Sequence, residues 1–350
     1  MLSMKFIDFR SDTVTLPTDE MREAIHIAVL GDDVFGEDPT TNRFEKRAAE
    51  VMGKEDALLV ASGTMANLVC ALTHCARGEE VILGDQSHMF LNEGGSMSVL
   101  GGLHPHTVVN QPDGTMRLED IKAAIRGDDV HWPRTRLICL ENTHNRCYGS
   151  PLSPEYIDSV ASLARQHGLL VHLDGARIFN AAVALGINVK EFASSVDSIC
   201  FCLSKGLSAP IGSVICGSRD FIAEARRNRK LLGGGMRQTG IIAAAGFLAI
   251  GKMVKRLTED HANARRLAEG IGKIAGLSID IERIKTNILY FDLNSGGLAP
   301  DEFLARLEKK GIKLLRTGPS RFRMVTHYGI RSEHVDTALA SLSEVLGEKY

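Results

Sequence analysis

A single lysine interrupts an apolar stretch of the sequence. Lys205 follows the run at 198–204 and precedes small residues and a proline, in the segment SICFCLSKGLSAPIGSV. Burial favours the neutral form of a lysine, and the neutral amine can form a Schiff base with a carbonyl compound. A lysine at the end of a strand is equally compatible with an ordinary solvated side chain. Lys205 is therefore a candidate nucleophile that needs corroboration from other residues.

An aspartate follows the preceding apolar run, LLVHLDGA at 169–176. If both runs are neighbouring parallel strands, Asp174 and Lys205 lie at the same edge of the sheet. An aspartate beside a lysine-bound pyridine ring would keep the ring nitrogen protonated, and that pyridinium is the electron sink of pyridoxal phosphate chemistry. Asp174 taken alone also fits a turn aspartate before Gly175. The pair favours a pyridoxal phosphate site.

Two further segments could complete such a site. Ser62, Gly63 and Thr64 stand between a predicted strand and a predicted helix, where backbone amides and the helix dipole can hold a phosphate. A simple helix N-cap is the alternative for this triplet. His88 follows the run VILGD, and its flat imidazole could cover a cofactor ring or serve as a helix cap.

The segments that position these residues alternate between two patterns. Short runs rich in Val, Ile, Leu and Cys are typical of strands buried on both faces, and they occupy 56–62, 79–85, 135–142, 169–176 and 198–205. Helical stretches at 64–78 and 153–168 lie between them, the first expected to stop at its glycine. This order predicts an α/β fold with a mainly parallel sheet layered with helices.

The pattern changes beyond about residue 250. A long helical segment (251–275) precedes TNILYFDL, PDEFLARLEKKG, FRMVTH and a last helix from Ser332. We therefore predict a large cofactor-binding domain at 1–250, which includes the N-terminal arm, and a small α+β domain at 251–350. The segment GIIAAAGFLAIGKMVKRL could form one helix that joins both domains.

Composition excludes several classes of partner. The 350 residues are 44% hydrophobic and 24% charged, and 41 basic against 43 acidic side chains give a net charge of −2. Such a balance argues against nucleic acid or an anionic membrane as a partner and favours a small polar substrate. The seven cysteines include no C-x-x-C pair, and no apolar run approaches the about 20 residues that span a bilayer. We expect a cytoplasmic protein with reduced thiols.

A metal site is the alternative reading of the histidines. HLD at 172–174, DQSH at 85–88 and HPH at 104–106 contain possible ligands, but their spacing matches no metal signature. A metal-dependent hydrolase that uses His172, Asp174 and His88 is therefore disfavoured, and we predict no metal. A cofactor-binding module without catalysis is the third possibility, and it would leave these polar residues unexplained.

Taken together, the motifs resemble those of the low-specificity L-threonine aldolases. The resemblance runs in order through DFRSDTVTLPT, GDDVFGEDPTTN, SGTMANL, LENTHN, HLDGARIFNA, CLSKGLSAPIGS, LGGGMRQTG and RMVTH, and so covers nearly the whole chain. It implies the fold type I architecture of pyridoxal phosphate enzymes, which is aspartate aminotransferase-like. It also implies cleavage of L-threonine, L-allo-threonine or both to glycine and acetaldehyde.

The resemblance implies a role for each matching residue near the cofactor. Lys205 would carry pyridoxal 5'-phosphate as a Schiff base, Asp174 would pair with the ring nitrogen, and His88 would stack on the ring near the substrate hydroxyl. Arg177 would reach the ring oxygen or the substrate carboxylate. The phosphate would be held by Ser62, Gly63 and Thr64.

Other residues are implied on the substrate side. Ser11 and Arg323 would complete the carboxylate site, Arg323 through bidentate guanidinium geometry. Lys230 and Arg237 would face a neighbouring subunit's site, and His131 would lie near the substrate side chain. The family resemblance implies a homotetramer, a dimer of dimers with active sites at the dimer interface.

Two points stay open in the sequence. Transaldolase, serine hydroxymethyltransferase-like, racemase and β-eliminase reactions use the same cofactor and remain alternatives. After LENTHN the chain reads RCYGSPLSP, which departs from the family pattern at Cys147 and Tyr148. We interpret this departure as a surface loop rather than a change in the substrate pocket.

Overall fold

A seven-stranded sheet forms the centre of the protein. The computed structural model describes residues 6–294 and 297–347. The sheet has the order β2-β8-β7-β6-β5-β3-β4, in which only β8 runs antiparallel to its neighbours. A short strand, β1 (Ile7–Asp8), precedes these strands in the chain. The seven strands are β2 (Asp56–Val60), β3 (Glu80–Gly84), β4 (His104–Val108), β5 (Thr135–Glu141), β6 (Leu170–Asp174), β7 (Ser198–Cys202) and β8 (Ser213–Gly217).

The sequence prediction of this sheet is confirmed for five strands and for the fold class. It missed β4, whose residues read as polar because the strand lies at the sheet edge and is only partly buried. It also missed β8, which follows β7 closely and pairs with it antiparallel. One helix boundary was wrong: the helix after β2 ends at His74, not at the glycine of residue 78.

Helices cover both faces of the sheet. Along β2, Ala57 and Leu59 pack into one apolar cluster, whereas Leu58 and Val60 pack into another on the opposite face. This alternation follows from the two-residue period of a strand. The helices of this part are α1 (Asp19–His26), α2 (Pro39–Met52), α3 (Gly63–His74), α4 (His88–Leu91), α5 (Ser96–Val99), α6 (Leu118–Ala124), α7 (Pro154–Gln166), α8 (Ile178–Leu185), α9 (Val189–Ala193), α10 (Arg219–Leu231) and α11 (Gly240–Leu248).

A second, smaller sheet carries its own apolar core. It is antiparallel, with the order β12-β13-β10-β9. A continuous helical run from α11 through a π-helical turn (Ala249–Met253) to α12 leads into this part, as the sequence suggested. Its elements are α12 (Val254–Ile271), β9 (Leu277–Ser278), β10 (Ile288–Leu293), α13 (Pro300–Lys309), β11 (Ile312–Lys313), β12 (Leu315–Arg316), β13 (Arg321–Val325) and α14 (Ser332–Val345).

The N-terminal residues contact this second part. Strand β1 pairs with β11, and Phe9 belongs to the second apolar cluster. Helix α12 contributes Leu257 to the first cluster and Leu267 to the second. The division into domains 1–250 and 251–350 stays a prediction, and β1 shows that chain segments from both ranges share one core. No helix among the described residues is both long and apolar enough to cross a membrane.

A buried ion pair ties the N-terminal segment to the large sheet. Arg229 on α10 donates from Nη2 to Oδ2 of Asp33 at 2.6 Å and from Nη1 to the carbonyl oxygen of Leu59 at 2.7 Å. Both charged side chains are almost fully buried. Removing Arg229 would leave the buried Asp33 with the longer contact to Nη1 of Arg226 at 3.6 Å, which compensates its charge only in part.

We predict that Arg229→Met lowers the free energy of unfolding by about 3 kcal/mol, measured by urea denaturation. Arg227→Met is the matched control, because Arg227 lies on the same helix with its side chain 82% exposed. That variant should change stability by less than about 0.5 kcal/mol. Equal effects of the two substitutions would contradict the conclusion that the buried ion pair of Arg229 stabilises the fold.

Candidate active site

The carboxyl ends of neighbouring strands bring the predicted residues together. Asp174 ends β6 and is paired in register with Glu141, the last residue of β5. Lys205 lies three residues beyond the end of β7, which pairs with β6. Because these three strands are parallel, their polar ends meet at one edge of the sheet. The structure thus confirms the convergence predicted from the sequence pattern.

Asp174 is a buried, ionised carboxylate. It accepts hydrogen bonds from Nδ2 of Asn67 at 2.9 Å and from the amide of Ala176 at 3.0 Å. Burial alone would raise the pKa of Asp174, but the charges of Lys205 and His88, together with the Asn67 hydrogen bond, lower it below its ordinary value. A negative charge is therefore held inside the protein at the strand ends.

The turn after Asp174 has room only for glycine. A Cβ atom added to Gly175 would lie 2.5 Å from the carbonyl oxygen of Cys200 and 3.0 Å from Cβ of Ile178. The backbone of β7 cannot move away without disturbing the sheet. The residue that follows Asp174 therefore fixes the carboxylate against the neighbouring strand.

His88 is held by two glutamates. Its amide donates to Oε2 of Glu141 at 2.6 Å, and its ring Nδ1 lies 2.8 Å from Oε1 of Glu93. The hydrogen bond to Glu93 raises the pKa of His88 against the opposing effect of burial. Burial raises the pKa of Glu93, whereas the hydrogen bonds from His88 and Asn67 favour its ionised form. Polar atoms of His88 and Asp174 lie within 4.8 Å of each other, so the structure brings together two residues that the family resemblance assigns to the cofactor ring.

The Ser62-Gly63-Thr64 segment forms the first turn of α3. Ser62 is its N-cap and accepts a hydrogen bond from the amide of Met65 at 3.2 Å. A Cβ atom on Gly63 would lie 2.9 Å from Sγ of Cys202, so the loop packs closely against β7. The first amides of a helix have no partner within it and can bind an anion. The segment thus has the geometry predicted for a phosphate site.

Arg177 forms a buried ion pair with Asp12, a residue that the sequence analysis did not single out. Its Nε and Nη2 atoms donate to the two carboxylate oxygens of Asp12 at 2.7 Å each. The facing charge lowers the pKa of Asp12 and raises that of Arg177 despite the burial of both groups. Thr15 donates to the carbonyl oxygen of Asp12 at 2.8 Å and to that of Lys205 at 3.0 Å. This bidentate pair therefore fixes the N-terminal segment beside the lysine turn.

A cavity of about 570 Å³ opens beside these residues, and both His88 and Arg323 line it. Arg323 donates from Nη1 to Oδ1 of Asn145 at 2.9 Å and from Nη2 to the carbonyl oxygen of Arg10 at 2.9 Å. Its buried Nε has no hydrogen-bond partner among the residues that the structure describes. Ser11 follows Arg10 directly and caps the short 3-10 turn from Asp12 to Val14. The predicted carboxylate residues thus lie near the cavity.

Three predicted substrate residues lie elsewhere in the single chain. His131 is 83% exposed and contacts Asp129, and Arg237 forms an ion pair with Asp32. Lys230 lines a different cavity along α10. Within residues 6–294 and 297–347, none of the three lines the cavity that holds His88 and Arg323. Their predicted roles require a second subunit and stay predictions.

The interpretation of Cys147 and Tyr148 as surface residues was wrong. Both are buried, and the Tyr148 ring lies 5.0 Å from that of Tyr290, a residue of the cavity wall. The guanidinium of Arg283 lies over the Tyr148 ring, with its carbon 3.7 Å from the ring centroid. Tyr290 donates to the carbonyl oxygen of Asn145 at 3.1 Å. The departure from the family pattern therefore supports the wall of the cavity that His88 and Arg323 line.

The geometry of His172 argues against its use as a metal ligand. Both of its ring nitrogens are engaged, Nδ1 with Ser198 at 2.8 Å and Nε2 with Asn67 at 3.1 Å. The His, Asp and Glu side chains that do converge are His88, Glu93 and Asp174, whose polar atoms lie within 4.8 Å of one another. They belong to the site already described, where His88 and Glu93 bond to each other.

Sequence reasoning missed Asn67, Glu93, Asp12 and Asn145. Asn67 carried the clearest signal, because it is a lone amide inside the apolar helix GTMANLVCALTH, and a buried polar group needs partners. Glu93 lies in a glycine-rich turn with no motif. The pairing of Asp12 with Arg177 joins positions 165 residues apart, which no local pattern reveals.

Similar sequences and similar structures both include threonine aldolases. The model of the beta-eliminating lyase family matches residues 8–294. A probable low-specificity L-threonine aldolase of Arabidopsis thaliana is 48% identical over 98% of this chain and 98% of its own. The low specificity L-threonine aldolase of Escherichia coli K12 is 44% identical over 94% and 96%. A Leishmania major threonine aldolase structure shares the fold, with a TM-score of 0.83, 19% identity and coverage of 97% and 99%.

The buried histidine behind the site predicts an acid-sensitive fold. Burial lowers the pKa of His172 from 6.5 to about 4, so the unfolded chain binds a proton between these values and the folded chain does not. The contribution of neutral His172 to the free energy of unfolding is therefore fully present above pH 6.5. It falls by about 1.4 kcal/mol per pH unit as the pH drops toward 4.

We expect His172→Gln to flatten that part of a plot of unfolding free energy against pH. The exposed His26 supplies the control, because His26→Gln should leave the slope unchanged. An unaltered slope in His172→Gln would show that His172 does not stay neutral in the folded protein.

Proposed function

The chain belongs to the beta-eliminating lyase family and, within it, to the low-specificity L-threonine aldolases, and on that premise we propose how its residues perform the reaction. The protein is a carbon–carbon lyase that cleaves L-threonine, L-allo-threonine or both to glycine and acetaldehyde. The observation that supports the assignment of roles is the buried, ionised Asp174 at the same sheet edge as Lys205.

The residues fit pyridoxal 5'-phosphate. A helix N-terminus with a closely packed glycine suits the phosphate, and the buried negative charge of Asp174 suits a protonated ring nitrogen. Lys205 would hold the cofactor as a Schiff base, and His88 would cover the ring. When bound, the cofactor supplies an electron sink for the electron pair of the broken bond.

Asp174 would keep the ring nitrogen protonated because it remains ionised. Its carboxylate accepts hydrogen bonds from Asn67 and Ala176, which stabilise the charged form. Arg177 would act on the cofactor or substrate only from a position fixed by Asp12, since two of its nitrogen atoms bind that carboxylate.

Arg323 and Ser11 would bind the substrate carboxylate. The guanidinium of Arg323 is fixed by Asn145 and by the Arg10 carbonyl, while its buried Nε lacks a partner among the described residues. A rigid guanidinium binds a carboxylate in one orientation and would therefore select which bond at Cα is aligned for cleavage. Alignment of the Cα–Cβ bond would direct cleavage to that bond.

The site must remove the β-hydroxyl proton and return a proton to Cα. His88 lines the cavity, and either His88 or a water beside it would act as the base. The hydrogen bond that His88 donates to Glu93 raises the pKa of His88, which favours the form of the ring that has accepted a proton. Glu93 would act through His88 by fixing its Nδ1.

A second subunit would complete the site. The segments around Asp33 and Arg237 contact each other, because the amide of Asp33 donates to the carbonyl oxygen of Arg237 at 3.0 Å. Both segments carry exposed apolar side chains. Phe35 and Leu231 are 74% and 78% exposed, and contact with a second chain would remove this apolar area from water. A homotetramer with sites at a dimer interface, to which Lys230, Arg237 and His131 contribute, remains our proposal. The cytoplasmic location stays a prediction.

The first test of function compares isomers. Wild-type protein with pyridoxal phosphate should release acetaldehyde from L-threonine, L-allo-threonine or both, and none from D-threonine. Lys205→Ala should lose turnover completely, because no other residue is proposed to hold the cofactor covalently. Full activity of Lys205→Ala, or no release from either L-isomer by wild type, would refute the proposal.

The covalent role of Lys205 has a readout that does not depend on turnover. Reduction of the wild-type protein with borohydride followed by peptide mass spectrometry should place a pyridoxyl group on Lys205. A label on another lysine would contradict the assignment.

Arg323 and Arg321 offer a matched pair in the same cavity wall. Arg323→Lys should raise KM for threonine roughly tenfold or more with a smaller change in kcat, because lysine cannot reproduce a fixed bidentate contact. Arg321→Lys should alter neither strongly, since Arg321 already pairs with Asp292. The measurement is steady-state kinetics on the same L-isomer, and equal effects would argue against a carboxylate role for Arg323.

A further inference from the structure

A buried chain of hydrogen bonds extends from Asp174 away from the substrate cavity. Asn67 is its central residue, because its Nδ2 lies 2.9 Å from Oδ2 of Asp174 and 2.8 Å from Oε1 of Glu93. Its Oδ1 lies 3.1 Å from Nε2 of His172, whose Nδ1 lies 2.8 Å from Oγ of Ser198. Asn67, His172 and Ser198 are all buried, and the reaction described above uses only the hydrogen bond from Asn67 to Asp174.

The two carboxylates determine how the amide of Asn67 is oriented. Ionised carboxylates only accept hydrogen bonds, so the side of Asn67 that faces Asp174 and Glu93 must be its NH₂ group. Both hydrogens of that group are then used. Its oxygen must face His172, where it also accepts a weak bond from the Cys200 thiol at 3.2 Å. All four hydrogen-bonding positions of the amide are therefore occupied.

This orientation fixes the proton on His172. Because the Asn67 oxygen can only accept, Nε2 of His172 must carry the hydrogen. A neutral imidazole then accepts at Nδ1, so the hydroxyl of Ser198 donates to it. His74 continues the chain, with its Nε2 2.7 Å from the same hydroxyl oxygen, and donates to that oxygen. Every donor in the chain points toward Asp174.

The chain also separates two like charges. Polar atoms of Asp174 and Glu93 lie within 4.8 Å of each other in a buried site, where repulsion between two carboxylates is strong. The pair of N–H groups on Asn67 bonds to both at once. Asn67 lies on α3 one turn beyond Gly63 and Thr64, so the helix that would bind the phosphate also places this amide.

We propose that Asn67 and His172 are positioning residues for the cofactor: His172 holds the Asn67 amide in one orientation, and Asn67 holds Asp174 and Glu93 in place. Neither residue would touch substrate. The consequence for the cofactor rests on the proposed function, since it requires Asp174 to face the ring nitrogen. The hydrogen-bond directions do not depend on it.

The first experiment measures cofactor binding in four proteins. Asn67→Ala should weaken the equilibrium binding of pyridoxal phosphate roughly tenfold, as expected for the loss of buried hydrogen bonds to a charged group. His172→Leu should weaken binding in the same direction, whereas His172→Gln should restore most of it, because glutamine can still donate to Asn67 and accept from Ser198. A purely structural role would lower thermal stability without this rescue, and equal binding by His172→Leu and His172→Gln would overturn the proposal.

The second experiment is made on the wild-type protein, and a variant is needed only to assign the NMR signal of His172. Nitrogen NMR of histidine-labelled wild-type protein should show His172 neutral with the hydrogen on Nε2 between pH 6 and 8, identified by its loss in His172→Gln. A hydrogen on Nδ1, or a charged imidazolium, would overturn the proposal. This measurement uses no substrate and is therefore independent of threonine cleavage. A wrong protonation state of His172 in an active enzyme would refute only the positioning role. The predicted protonation state in a protein that does not cleave threonine would refute only the proposed function.

Discussion

The site depends on keeping one negative charge ionised inside the protein. Asp174 is 3% exposed, and burial by itself would favour its neutral form. The neighbouring positive charges and the amide of Asn67 reverse that preference. A neutral carboxyl would not hold a pyridine nitrogen in its protonated form, and the electron sink needed for carbon–carbon cleavage would be weaker.

The fold supplies this environment by bringing distant segments to one edge of a parallel sheet. Strands β5, β6 and β7 end beside one another, and α3, which follows β2 directly, carries both the turn proposed to bind the phosphate and Asn67. The N-terminal segment completes the enclosure, because Asp12 binds Arg177 and Thr15 binds the lysine turn. Arg323, which we propose to bind the substrate carboxylate, lies on β13 in the second sheet. The proposed reaction would therefore require both parts of the chain to be packed together.

Much of this arrangement could be predicted from the sequence, because it follows from strand ends and local signals. Apolar runs located five strands, and the rule for parallel sheets then placed Asp174 and Lys205 together. The partners of these residues could not be found that way. Asp12 reaches Arg177 across the whole first half of the chain, and Glu93 depends on how a short turn folds back onto His88.

Loops and edges account for the remaining differences. Strand β4 was missed because its edge position leaves polar residues in it, and Tyr148 was read as exposed because its sequence context is that of a turn. In the structure Tyr148 has a left-handed backbone, with φ of 64°, and this turn directs its ring inward onto Tyr290. A sequence pattern does not specify which way such a turn faces.

The most direct measurement of the central claim is the protonation of the cofactor itself. Pyridoxal phosphate labelled with ¹⁵N in the ring, bound to the wild-type protein, should give the nitrogen chemical shift of a protonated pyridinium throughout the neutral pH range. The same shift should move toward that of neutral pyridine in Asp174→Asn. A neutral ring nitrogen in the wild-type protein would contradict the account, because the buried charge of Asp174 would then not serve the cofactor.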